Sequence, residues 1–222
     1  MRSEVGEFGA VVDAQGRRLH NLRVSLTSAC NYACVYCVPD GKRLHAEKNA
    51  LPLAKLLLAV GYLKQVNDLR TLRITGGEPL ISPLFDDFMA ALGQFEFEDV
   101  SLTSNGQLLS RKLLVLLAAG VRRINISLDS LDAWAFQRIA RGGELTEVLE
   151  GSEQARAAGL QVKINMVPLR GYNHEQILLG EYLERPDWAT GAEVTYLFAL
   201  GLLLVVLIPR LGAIGTALLG AG

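Results

Sequence analysis

Cys30, Cys34 and Cys37 are the only cysteines in the 222 residues, and they lie within a stretch of eight. Thiolates are soft ligands suited to iron–sulfur clusters, zinc or Cu(I). Three of them on one short stretch, at spacings of four and three, can wrap one face of a cubane. A 4Fe–4S cluster held this way keeps one iron open. Two other readings stay open. Structural zinc needs a fourth ligand, for which His20 or His45 would serve. Three thiols without metal is the other.

Polar motifs recur downstream. Thr75-Gly76-Gly77-Glu78-Pro79 carries two glycines that let the backbone approach a ligand closely, and Glu78 can accept from an ammonium. Thr103-Ser104-Asn105-Gly106, Ser127-Leu128-Asp129-Ser130 and Lys163-Ile164-Asn165 bring hydroxyls, amides and a cation. Read singly, they are turn chemistry, with a capping box at Ser130.

The elements around these motifs explain their spacing. Leu22 to Leu26 alternates with the period of a half-buried strand. Further strands are expected over 69–74, 100–102, 121–128, 160–167 and 193–198. Helices are expected over 53–63, 83–92 with Pro83 in the first turn, 108–119, 133–139, 145–158 and 175–183. Strands alternating with helices argue for βα units around a parallel sheet. The units are too few for a closed eightfold barrel, so an open, partial barrel or a doubly wound sheet is expected. In both, chemistry belongs beyond the carboxyl ends of the strands, where each motif falls.

Cys-x3-Cys-x2-Cys with aromatic Tyr36 before the last cysteine resembles the radical S-adenosylmethionine superfamily. The resemblance implies a partial (βα)6 TIM-like barrel, one 4Fe–4S cluster on Cys30, Cys34 and Cys37, and S-adenosylmethionine on the open iron. Cleavage of that sulfonium yields a 5′-deoxyadenosyl radical that abstracts a hydrogen atom. An electron donor of the flavodoxin or ferredoxin type is implied as well.

Asp13, Gly16-Arg17, Leu22–Thr27, Tyr36–Pro39, Arg73–Pro79, Ser127–Leu131, Lys163–Asn165, Arg170-Gly171 and Asn173 narrow the likeness. From about residue 10 to 180 the chain is similar to the GTP 3′,8-cyclase family of molybdenum-cofactor biosynthesis. That family converts GTP to (8S)-3′,8-cyclo-7,8-dihydroguanosine 5′-triphosphate, starting with hydrogen abstraction at C3′. The resemblance implies that Tyr36, Gly76, Gly77, Glu78 and Ser127 contact S-adenosylmethionine, and that Arg23, Arg73, Ser104 and Lys163 contact GTP. The family also has a carboxy-terminal half whose three further cysteines hold a second cluster. This chain has no cysteine after Cys37. Two alternatives stand beside the cyclase reading: a radical enzyme with another substrate, and a truncated fragment without catalysis.

Composition adds limits. Half of the residues are hydrophobic and a fifth charged, which excludes a disordered chain. The net charge of −1 and the scattered basic pairs Arg17-Arg18, Lys42-Arg43 and Arg122-Arg123 argue against a nucleic-acid partner. Clustered, odd-numbered cysteines and charged residues among the first thirty predict a reducing, cytoplasmic setting. His20, His45 and His174 are scattered in expected loops and are not expected to be catalytic. The organisation expected is an arm over 1–20, a core over 21–199 and an apolar tail over 200–222. From Val194 onward Arg210 is the only charged side chain, which lifts the mean hydropathy to +0.25. A membrane helix interrupted by Pro209-Arg210, a buried strand with a short apolar helix pair, and a truncation or fusion are the readings of that tail. The last is favoured beyond about residue 200.

Overall fold

The computed structural model describes residues 12–47, 50–178, 194–197 and 203–205. Residues 1–11 of the expected arm, 179–183 of the last expected helix and 206–222 of the expected tail lie outside the described residues. Among the described residues there is one sheet of seven strands in chain order. These are β1 (Asn21–Ser25), β2 (Thr71–Thr75), β3 (Asp99–Ser104), β4 (Arg123–Ser127), β5 (Gln161–Met166), β6 (Val194–Leu197) and β7 (Leu203–Val205). β1 to β6 pair in parallel, and β7 adds an antiparallel edge within the span expected as tail.

The helices are α1 (Leu53–Asn67), α2 (Phe85–Ala91), α3 (Leu109–Ala118), α4 (Ala133–Ala140), α5 (Leu145–Ala157) and α6 (His174–Leu178). Parallel strands in sequential order, joined by right-handed crossovers, leave all crossover helices on one face. The contacts α1–α2, α2–α3, α3–α5 and α4–α5 trace that single layer.

Two expectations are corrected here. The helix expected over 83–92 begins at Phe85, because a 3₁₀ turn at Pro79–Ile81 precedes it and Ser82 turns the chain. The Ser82 hydroxyl donates to Leu26 O at 3.2 Å and accepts from Leu84 N at 3.3 Å, so this turn is tied to the end of β1. The cap of α4 is Asp132, whose carboxylate accepts from Ala135 N at 2.7 Å. Ser130 instead exchanges hydrogen bonds with the Asp132 backbone.

The two faces of the sheet differ in chemistry. Leu72, Ile74, Leu102, Ile124, Ile126, Ile164 and Met166 are fully buried against Phe85, Phe88, Leu109, Leu116 and Val148. The alternate positions are polar from strand to strand: Arg23 and Ser25, Arg73 and Thr75, Ser101 and Thr103, Arg123 and Asn125, Lys163 and Asn165. A closed barrel fills its interior with branched apolar side chains. A polar inner face suits an open barrel that receives a polar ligand.

Candidate functional site

The cysteine loop leaves the carboxyl end of β1 and is held from several sides. Cys30 N donates to Leu44 O at 3.1 Å, Ala33 N to Ala140 O and Val35 N to Ile139 O, both at 3.0 Å. Cys37 N and Val38 N both donate to Cys34 O at 2.9 Å, closing a tight turn. At the end of α4, Arg141 clamps the exit, its Nη1 donating to Val38 O at 3.2 Å and Pro39 O at 3.3 Å.

All three thiols are free, with Cys30 and Cys34 half-buried and Cys37 exposed. Burial pushes the Cys34 thiol up to about 12, with Asp129 adding to the rise, and burial likewise raises Cys30 and Cys37. A bound metal reverses that bias, since ligation deprotonates the thiol. The donor set fits an iron–sulfur cluster: three soft ligands, one of them open to solvent. It fits closed zinc less well. Among the described residues no three His, Cys, Asp or Glu side chains, the three cysteines included, are gathered as around a single ion. His20 Nδ1 lies 3.0 Å from Asp68 O, which occupies one expected fourth ligand before β1 begins.

The loop after β2 presses directly on the cysteine loop. Gly77 N donates to Thr27 O at 2.7 Å and Glu78 N to Ala29 O at 2.8 Å. A Cβ on Gly76 would lie 2.6 Å from Thr27 O, and one on Gly77 2.3 Å from Ala29 O. The glycines therefore allow the two loops to touch, and so set where Cys30 begins.

Glu78 and Ser104 lie beneath the rim. Sequence reading sets Glu78 against an ammonium and Ser104 against the nucleotide, yet both are buried and bonded to one another. Ser104 Oγ donates to Glu78 Oε1 at 2.8 Å, which also accepts from Leu80 N at 3.0 Å. Glu78 Oε2 accepts from Asn105 N at 2.7 Å. Burial raises the Glu78 carboxyl, while these three bonds oppose the rise. The pair joins the ends of β2 and β3 and is nearly covered, at 1% and 3% exposed.

The other expected residues reach two places. Tyr36, Gly76, Gly77 and Ser127 stand at the carboxyl rim, with Gly77 exposed and the rest partly so. Arg23, Arg73 and Lys163 stand deeper, on the polar inner face. Arg23 and Arg73 are in register, and the same rung continues through Ser101 to Arg123. Arg123 is ion-paired with Asp99. Among the described residues neither Arg23 nor Arg73 makes an ion pair or a side-chain hydrogen bond.

The sequence model of the radical SAM superfamily matches residues 24–179, more than half of the chain. The chain belongs to the radical SAM superfamily. The superfamily's cofactors are a 4Fe–4S cluster and S-adenosylmethionine, and the three free thiols of this radical SAM chain fit the first. Three curated relatives, each named GTP 3′,8-cyclase, are similar to it. That of Erythrobacter litoralis (strain HTCC2594) is 40% identical over 75% of this chain and 51% of its own length. That of Sinorhizobium medicae (strain WSM419) is 41% identical over 79% and 51%. That of Rhodopseudomonas palustris (strain TIE-1) is 39% identical over 92% and 57%, more of this chain than residues 10 to 180. The chain thus spans about half the length of these relatives.

Among solved structures, Streptococcus suis SuiB bound to S-adenosylmethionine superposes with a TM-score of 0.65 at 18% identity. It covers 80% of this chain and 40% of its own. Histidine-tagged anSMEcpe with bound AdoMet gives 0.60 at 17% identity, covering 81% and 51%. Both support the fold of a radical SAM partial barrel. Among the described residues no helix is long and apolar enough to cross a membrane.

Sequence reading names Asn105 and Asp129 within strand-end motifs but gives neither a partner, and it does not single out Asn31. Asn31 and Asn105 join the cysteine loop to the end of β3, Asn105 Nδ2 donating to Asn31 Oδ1 at 2.8 Å. Asp129 accepts from the Tyr36 hydroxyl at 2.8 Å. These partners lie 74 and 93 positions apart, so no local spacing reveals them. The one available signal was their recurrence at strand ends.

Proposed function

We propose that this chain is the radical-generating core of a GTP 3′,8-cyclase-type enzyme. Cys30, Cys34 and Cys37 hold one 4Fe–4S cluster, and Tyr36, Gly76, Gly77 and Ser127 border the S-adenosylmethionine site. Once bound and reduced by an external one-electron donor of the flavodoxin or ferredoxin type, these cofactors supply a 5′-deoxyadenosyl radical that removes a hydrogen atom from the nucleotide ribose. The protein's own contribution is placement. The Gly76–Gly77 contact seats the cysteine loop, and the Glu78–Ser104 pair holds the adjoining strand ends together.

The observation that carries the nucleotide reading is the unpaired Arg23–Arg73 rung beneath that rim. Two guanidiniums on neighbouring strands, with no carboxylate between them, offer two forked donors to a polyphosphate. Lys163 lies on the same face, one rung nearer the rim. The relatives at about 40% identity support the same substrate. In the family resembled, guanine is held by a second cluster in the other half of the protein, and cyclisation is proposed for the chain together with that half.

The test is anaerobic incubation of the reconstituted, reduced protein with S-adenosylmethionine, with and without GTP. Formation of 5′-deoxyadenosine that depends on GTP supports the assignment. Formation indifferent to GTP points to another substrate over the same radical SAM core.

A further inference from the structure

Asp129 ties the ends of β4 and β5 to the cysteine loop. It lies two residues past the end of β4, is 7% exposed, and both carboxylate oxygens have donors. Oδ2 accepts from the Tyr36 hydroxyl at 2.8 Å, and Oδ1 accepts from Val167 N, just past β5, at 2.9 Å. Its main-chain carbonyl accepts from Asn173 Nδ2 at 2.6 Å. Asn173 also donates to Val167 O at 3.0 Å and accepts from Leu169 N at 2.6 Å. The loop after β5 is thereby fixed to the end of β4, and the phenol links both to the cysteine loop.

An aspartate after a strand commonly caps the next helix, but here Asp132 caps α4. Burying a carboxylate costs free energy unless donors replace its water. Among the described residues Asp129 has two side-chain-oxygen donors and no ion pair, and one donor is the side chain between Cys34 and Cys37. Val35 N to Ile139 O and the turn bonds to Cys34 O are the other restraints on this part of the loop. The phenol anchors it from the side of β4, opposite in chain order to the Arg141 clamp on Val38 O and Pro39 O.

We infer that Asp129 is a positioning residue: through the Tyr36 hydroxyl it holds the Tyr36–Cys37 peptide in the geometry that S-adenosylmethionine binding requires. This rests on the radical SAM site proposed above. It goes beyond that reading in assigning the cofactor-site geometry to a carboxylate outside the cysteine loop and the glycine loop.

Tyr36→Phe removes the hydroxyl and keeps the ring; Asp129→Asn keeps one acceptor and removes the charge. In the cofactor-free chains, amide exchange at Tyr36 and Cys37 is expected to quicken in both variants, and at Val167 in Asp129→Asn alone. After reconstitution, iron content is expected to match the parent. The S-adenosylmethionine concentration that half-perturbs the cluster EPR signal is expected to rise about tenfold in each, as for loss of one charge-assisted bond. The double variant is expected to show little more than either single one. Parent-like exchange at residues 36 and 37 together with parent-like titrations would overturn the inference. If the parent itself shows no response to S-adenosylmethionine, the site reading fails, and the exchange rates alone decide whether Asp129 positions the loop.

Discussion

Arg23 and Arg73 stand side by side in register on β1 and β2, on the face of the sheet that the helices leave bare. Neighbouring strands run about 4.8 Å apart, and like charges facing each other across them cost roughly 0.2–1 kcal/mol. Nothing among the described residues neutralises either one, whereas Arg123 on the same rung is paired with Asp99. A sequence that tolerates this repulsion gains from it when an anion binds. The polyphosphate proposed for this face would relieve that repulsion.

Replacing either arginine separates binding from folding. Arg23→Ala and Arg73→Ala are each expected to leave the melting temperature unchanged or slightly raised. GTP affinity is expected to fall about tenfold to a hundredfold, the loss of a charge-assisted bond of about 1.5–3 kcal/mol. The residual affinity should weaken further with salt. Calorimetric titration and thermal melts check both halves, and parent-like GTP affinity would remove the pair from the site.

The glycines of the β2 loop yield a prediction with an internal control. Gly77→Ala drives a Cβ to 2.3 Å from Ala29 O, and backbone rather than a flexible side chain must give way. A cost of about 1–3 kcal/mol and a displaced cysteine loop are expected, seen as a lower melting temperature and reduced iron retention. Gly93→Ala meets nothing within 4 Å and should behave as the parent. Equal behaviour of the two variants would contradict the close-approach account.

Glu78 gives a pH dependence of defined sign. Burial raises its carboxyl above the ordinary glutamate value, so the folded chain binds this proton more readily than the unfolded chain does. Its contribution to stability is full below the unfolded value of about 4.3 and is lost as pH rises through the raised folded value. Glu78→Gln removes that dependence and adds a constant cost, because its amide meets the Asn105 N–H. Relative to the variant, the parent's stability is expected to fall as pH rises from about 4, then level out. Urea unfolding across that range checks it, and parallel pH profiles would count against it.

Much of this was readable from residue order, for definable reasons. Alternation such as Leu22-Arg23-Val24-Ser25-Leu26 reports a strand with one apolar face, and the cysteines report their chemistry through spacing alone. Alternation does not say whether the polar face meets bulk water or the inside of a barrel. That is decided by which side the crossover helices cover, a property of the whole sheet. The mutual bond of Glu78 and Ser104 spans 26 residues, so no local spacing announces it. The role of Asp129 within its motif is hidden in the same way: its partners, Tyr36 and Val167, are distant in sequence.

Cys34 separates the cluster from the fold. Cys34→Ala changes one half-buried side chain on a loop whose backbone bonds remain. It is expected to melt close to the parent and to retain no stable cluster. A full iron complement in this variant would remove Cys34 from the ligand set.

The most direct test of the account is iron and sulfide content after anaerobic reconstitution of the parent chain, with EPR of the reduced protein before and after S-adenosylmethionine. The account predicts about four irons per chain and a signal that S-adenosylmethionine perturbs, because three thiolates leave one iron open. Zinc in place of iron, no metal, or a signal indifferent to S-adenosylmethionine would contradict it.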